Sequence, residues 1–182
     1  CISPDGTKVA LTSNKRAYIL PMTFRNVAVM GQTNVLSDGG YTTVIIPGGA
    51  LSSNVSFDIM SPDNVVTNNF PGVYVGNARQ FTLQGSTNQN EHFNFNTNIE
   101  MYIRFEDSDL PDGFAETNLA LFLYEPTVTN GQTGVWTQVT SALDTNNNFV
   151  VGSVTSFSVY AIGVATAGEA VAGDYDGDGI SD

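Results

Sequence analysis

The 182-residue chain sets 18 acidic side chains against 6 basic ones, a formal net charge of -12. It therefore has no basic stripe to neutralise a nucleic-acid backbone, and anionic lipid would repel it. Hydrophobic residues at 41% and aromatics at 10% exclude a disordered chain, whereas charged residues at 13% fall well below the roughly 25% of an average soluble protein.

Asn, Thr, Ser and Gly fill the polar positions instead, a surface suited to an extracellular β protein. The single cysteine is Cys1, so no internal disulfide forms and stability rests on burial and hydrogen bonding. A lipid-bearing Cys opens the mature chain of a bacterial lipoprotein. Cys1 fits that anchor, a thiol paired with another segment or chain, or a cut end. No apolar run approaches the ~20 residues of a membrane-spanning helix.

Helix signals are nearly absent along the chain. Alternating or β-branched runs bounded by Gly, Pro, Asn and Asp recur at the spacing of an all-β sandwich or barrel. About ten strands are predicted from candidate segments 8–12, 16–20, 23–30, 41–46, 55–60, 73–75, 80–84, 99–106, 118–125, 135–140, 149–151 and 155–164, some of them merging or proving to be loops. Residues 1–36 hold strands that either complete the sandwich or form an assembly contact; four of the six basic residues (Lys8, Lys15, Arg16, Arg25) fall there, opposite an acidic remainder. In 99–105, Ile99, Met101, Ile103 and Phe105 share one face and Glu100, Tyr102 and Arg104 the other, giving a strand with one wet side. Segments 119–124 and 156–162 are apolar on both faces, which predicts central strands.

The polar stretch 86–97 reads as a long exposed loop or a weak edge strand, and His92 within it reads as a solvated side chain, because no Ser-His or Cys-His constellation or Gly-x-Ser-x-Gly elbow accompanies it. Asp107, Asp109, Asp112 and Glu116 surround the turn signature Leu110-Pro111-Asp112-Gly113, which predicts an exposed charged turn rather than the paired carboxylates of a glycosidase, with a peripheral cation site between the two readings. Asn54-Val55-Ser56 is a glycosylation sequon at the start of a strand. Trp136, the lone tryptophan, reads as core rather than as a sugar platform.

Two blocks carry a family resemblance. The run Ser37-Asp38-Gly39-Gly40, a strand ending in Ile45-Ile46-Pro47, then Gly49-Ala50-Leu51 and a strand through Phe57-Asp58-Ile59 resembles the opening of the ZU-five-type β-sandwich of ankyrins and netrin receptors. A strand of the 99–105 kind, an acidic Pro-Asp-Gly turn, a strand like 119–124, Gly134-Val135-Trp136, an Asn-rich turn and a closing strand at 154–161 resemble the later half of related bacterial surface modules. The resemblance covers roughly 37–165. It implies a non-catalytic extracellular sandwich used for spacing, adhesion or assembly, with no catalytic residues to carry over.

Residues 166–173 read as a linker. The last nine residues, Asp174-Tyr-Asp176-Gly-Asp178-Gly-Ile180-Ser-Asp182, alternate carboxylates with glycine as a calcium loop does. Asp174, Asp176 and Asp178 hold positions 1, 3 and 5, the Ile180 carbonyl holds position 7, and Asp182 binds directly or through water at position 9. Similar runs open FG-GAP repeats and occur in thrombospondin type 3 repeats and dockerins, which points outside the cell; past Asp182 the expectation is either a protein that continues or an ordered metal clip that closes it.

The expectation is an antiparallel β-sandwich with a C-terminal calcium loop, acting as an extracellular structural or adhesive module on a cell surface or in a filament. Its expected partners are copies of itself or other surface proteins, joined end to end or by strand exchange, and its expected cofactor is calcium. The alternative is an accessory, carbohydrate-binding domain of a secreted hydrolase with glycans as ligands. A catalytic domain built on the acidic cluster is the weakest reading.

Overall fold

β-Branched and aromatic residues at period two make most of this chain strand. The computed structural model describes residues 8–13, 16–21, 23–62, 65, 67, 70–84, 93–125 and 134–165, the first two segments by backbone alone. In chain order the strands are β1 (Lys8–Ser13), β2 (Arg16–Pro21), β3 (Thr23–Ala28), β4 (Asn34–Ser37), β5 (Thr42–Ile46), β6 (Val55–Met60) and β7 (Val73–Leu83). They continue with β8 (Phe93–Arg104), β9 (Leu119–Glu125), β10 (Val135–Gln138), β11 (Ser141–Asp144), β12 (Phe149–Phe157) and β13 (Val159–Val164). The helical content of the described residues is two 3-10 turns, Asp107–Asp109 and Glu116–Asn118.

All pairing is antiparallel. A six-stranded sheet runs β10-β9-β13-β7-β6-β3, a five-stranded sheet runs β11-β12-β8-β5-β4, and β1 pairs β2 in a sheet of their own. The inner faces of the two large sheets share one core. The first contributes Phe57, Ile59, Phe81, Leu121, Tyr160 and Ile162, and the second Val44, Ile46, Ile99, Met101, Ile103 and Val150. Burying each such side chain stabilises the fold by about 1.5–3 kcal/mol, so this face-to-face layer outweighs any single polar contact. Phe157 sits at its centre, stacked on Phe81 at 4.6 Å and edge-on to Phe57 and Phe95 at 4.7 and 4.8 Å. The architecture is an antiparallel β-sandwich, as the strand spacing predicts.

The wet side of β8 lies where predicted, with Ile99, Met101 and Ile103 buried and Glu100 and Arg104 exposed. The expected central strands are also found: β9 lies between β10 and β13, and β13 between β9 and β7. Both bury two faces. Leu119 and Leu121 enter the main core, while Ala120 and Phe122 join Ala78, Trp136 and Ala161 in a second cluster on the other face of the sheet, packed against Val65 and Phe70. Trp136 is only 4% exposed, a core residue as expected.

Several expectations need correction. The predicted break at 76–79 is absent. Gly76 and Asn77 take positive φ of 122° and 54° and the β7–β13 register shifts there, so the same residues that mark a turn make a bulge within one strand. Residues 93–97, expected in a loop or weak edge strand, begin β8, where β12 pairs with them on one side and the β5 ladder starts only at Glu100; Phe93 and Phe95 point inward between Asn94 and Asn96, a period-two signal hidden by the polar composition around it. The single closing strand expected over 155–164 is two. Ser158, 7% exposed, lies between them, and there the chain passes from one sheet to the other while its hydroxyl donates to the Tyr124 carbonyl at 2.7 Å. Short β4 and β11, absent from the predicted set, form the two edges of the five-stranded sheet. Of residues 1–36, expected either to complete the sandwich or to form an assembly contact, 23–36 pair into the sandwich through β3 and β4.

Tyr160 is fully buried and donates its hydroxyl to the Ser156 carbonyl at 2.7 Å, and burial pushes its ionisation far above the usual tyrosine value. Its neutral form is favoured in the folded state, so its contribution is complete below the unfolded pKa of about 10 and is lost as pH rises above it. Ultraviolet titration should show one tyrosine that ionises only as near-ultraviolet circular dichroism collapses, and Tyr160→Phe should remove that step. Ionisation of every tyrosine before unfolding would contradict the assignment.

Candidate functional site

Asp174, Asp176, Asp178, Ile180 and Asp182, expected to form a calcium loop, lie outside the described residues, as do Cys1 and His92. Among the described residues no group of three or more His, Cys, Asp or Glu side chains is placed to hold a metal ion. Chemistry that can be built from geometry therefore centres on three places.

The first is the acidic cluster between β8 and β9. Asp109 receives the Glu106 amide and the Asn77 side-chain amide through Oδ2, both at 2.9 Å, and Glu106 and Asp109 cap the first 3-10 turn reciprocally. Asp107 Oδ1 accepts from Asn148 Nδ2 at 2.9 Å. Asn77 and Asn148 are the described non-glycine residues with positive φ, 54° and 57°, a conformation asparagine tolerates better than most. Both are aimed at this loop. Asp112 is exposed, so Asp107 and Asp109 pin a charged turn to the sandwich and the four carboxylates do not gather into a metal-holding group.

The second place carries a buried ion pair that sequence reasoning missed. Arg79 on β7 and Asp38 after β4 meet at 2.7 Å with side chains 3% and 4% exposed, joining the two sheets. Asp38 also accepts the Tyr41 and Thr42 amides at 3.0 and 2.6 Å and so shapes the β4–β5 turn. Arg79 donates through Nη1 to the Ala78 carbonyl at 2.9 Å and to Ser61 Oγ at 3.3 Å, and its guanidinium lies 5.4 Å from the Tyr41 ring centroid. Its Nη2 is buried with no partner among the described residues. A lone Arg in a strand looks like an exposed residue from sequence, and the run Ser37-Asp38-Gly39-Gly40 looks like a solvated turn.

The third place is a groove of about 310 Å³ at the side of the sandwich. Asn98, Gln138, Thr140, Ser153, Thr155 and Ser156 present amides and hydroxyls around Leu123, Val154 and Tyr160. It lies beside the β12–β8 register shift at Val154/Ser156 and beside the β10–β11 connection. Asn98 donates to Ser153 Oγ at 2.9 Å across it. These neutral groups can hydrogen-bond a polar ligand and supply no nucleophile–base pair. The sequon residue Asn54 accepts the Met30 amide at 2.9 Å, so its carboxamide helps hold the β3–β4 connection.

No model of a known family matches the sequence, and no curated protein matches it at a significant level.

Arg79→Met should strand the Asp38 carboxylate in the interior and cost about 3–5 kcal/mol. Asp38→Asn combined with Arg79→Met keeps an acceptor for the Tyr41 and Thr42 amides and leaves no buried charge. Urea unfolding should therefore find the double variant more stable than Arg79→Met alone, by roughly 1–3 kcal/mol. Additive losses would show that the two charges do not depend on each other.

Proposed function

We propose that this chain is a calcium-stabilised, non-catalytic structural or adhesive module of an extracellular surface protein or surface filament, with a ZU-five-like sandwich and a tail akin to the calcium runs of FG-GAP and thrombospondin type 3 repeats. The observation that carries the reading is the alternation Asp174, Asp176, Asp178, Asp182 with Gly177 and Gly179, past the end of the closing strand β13. Calcium takes six to eight hard oxygens at ~2.3–2.6 Å, and carboxylates at alternate positions converge on one ion only if the backbone coils tightly, which glycine permits. An acidic solvated tail needs no such alternation.

The sandwich supports the same reading through where its polar groups are spent. Asp38 and Arg79 join the sheets and Asp107 and Asp109 fasten a loop, so these charges serve the shape. No helix among the described residues is long and apolar enough to cross a membrane. A location outside the cell, where millimolar calcium fills weak sites, fits both the tail and the low charge content.

A second reading, a glycan-binding accessory domain of a secreted hydrolase, draws on the side groove, whose amides and hydroxyls match the hydrogen-bonding of sugar hydroxyls. Trp136 gives it no platform, since its ring is buried against Phe70 and Tyr124.

Calorimetry should detect calcium binding in the ~0.1–1 mM range of extracellular modules. Asp176→Asn with Asp178→Asn should abolish the heat; heat that survives unchanged would place the ion elsewhere and sink the proposal. For the second reading, a glycan array should register binding that Asn98→Ala and Gln138→Ala weaken. Silence across the array, or binding indifferent to both changes, would dismiss the groove as a sugar site.

A further inference from the structure

We infer that the β1–β2 hairpin of one copy docks on the β3–β4 side of a second copy, adding strands to its sheet edge. The inference rests on the structural-module reading and names the partner as another copy of this chain.

Among the described residues, the hairpin joins the ladder of neither large sheet. β1 and β2 pair with each other in a two-stranded sheet, from Lys8↔Pro21 to Ser13↔Arg16. A two-stranded ribbon is marginally stable at best in water and needs a third strand or an apolar surface. Its register puts Val9, Leu11, Tyr18 and Leu20 on one face and Ala10, Ala17 and Ile19 on the other, so both faces carry apolar residues. One residue separates β2 from β3, and the β3–β6 ladder begins at Thr23↔Met60, on the last residue of β6. β6 therefore has no strand residues left to pair with β2.

The receiving side is the edge where β3 ends the six-stranded sheet and β4 ends the five-stranded one. Val27 on β3, Val35 on β4 and Met30 between them are 59%, 64% and 52% exposed. At the opposite edges, β10 and β11, the large exposed hydrophobic among the described residues is Val135. Unpaired edge strands bearing apolar residues are templates for another chain. Asn26 and Asn34 bind β3, β4 and their connection to each other through side-chain amides, which holds this side in shape without a ladder between the two strands.

Charge selects a second copy as the occupant. Lys8, Lys15 and Arg16 give residues 8–21 a charge of +3 with no acidic residue, whereas residues 23–182 hold Arg25, Arg79 and Arg104 against 17 acidic groups, net -14. Two copies repel through their bodies, yet each hairpin is attracted to the other's body, which favours a contact made through the hairpin.

Sedimentation equilibrium of the full chain at low ionic strength should show self-association that weakens with salt. Lys8→Glu with Lys15→Glu and Arg16→Glu, and separately Val35→Glu, should each weaken it about tenfold or more, and Val35→Glu should leave the melting temperature in place, since Val35 is 64% exposed. Hydrogen exchange should show concentration-dependent protection at 23–28 and 34–37. A chain that stays monomeric at every concentration, association indifferent to both variants, or protection appearing at 135–144 instead would overturn the docking. Calcium heat measured on the same samples reports on the module reading separately: intact heat with no association sinks the docking alone.

Discussion

The two sheets must close on each other without a disulfide between them, and the Asp38–Arg79 pair is where that closure is specified. Apolar burial drives the sheets together but is indifferent to small changes in their mutual placement. A buried carboxylate facing a guanidinium at 2.7 Å is not. Either charge left alone inside would cost several kcal/mol, so arrangements that separate them are excluded. Through Asp38 the pair also orders the β4–β5 turn, and through Ser61 it reaches the segment that follows β6. Whether such a pair raises net stability matters less here than that it admits one alignment.

Asparagine does the corresponding work at the periphery. Asn26 donates to the Phe24 and Ser37 carbonyls and accepts the Ser37 amide, while Asn34 accepts the Val29 amide and donates to the Val29 and Gln32 carbonyls. Asn96 reaches Gly49 and Ser52, and Asn77 and Asn148 hold the acidic loop. A neutral carboxamide both donates and accepts, so it stands in for a missing ladder bond without the desolvation cost of a charge. That accounts for a chain with 13% charged residues keeping well-defined corners.

The sheets are unequal in how they are covered. The five-stranded sheet shows the usual single buried face along β8, with Asn94, Asn96, Asn98, Glu100 and Arg104 exposed on the other. The six-stranded sheet buries part of its second face as well, because Phe70 and Val65 fold over Phe122, Trp136 and Ala161. Gly163 makes that possible, since a side chain there would collide with the Phe70 ring. Among the described residues, the surfaces open to partners are consequently the edges, the side groove and the polar outer face of the five-stranded sheet, rather than the broad face of the larger sheet around Trp136.

Period-two alternation and turn residues were enough to determine, from the amino-acid order alone, that this chain is an all-β sandwich, that β9 and β13 are central, that Trp136 is core and that 107–116 is a charged turn. Those are local or compositional properties: a strand's face and a turn's backbone depend on neighbours within a few residues. Tertiary structure decided the rest. Gly76-Asn77 became a bulge because β13 lies alongside, and Phe93 and Phe95 entered the core because β12 pairs with that end of β8 and sets their faces against Phe57 and Phe157. Ser158 became a crossing between sheets for the same kind of reason. Asp38 and Arg79, 41 residues apart, have no signal in either neighbourhood. The proposed calcium loop is the converse case: its candidate ligands are alternate residues of one short run and so can be read as a spacing, while a partner that arrives from a distant strand leaves no spacing to read.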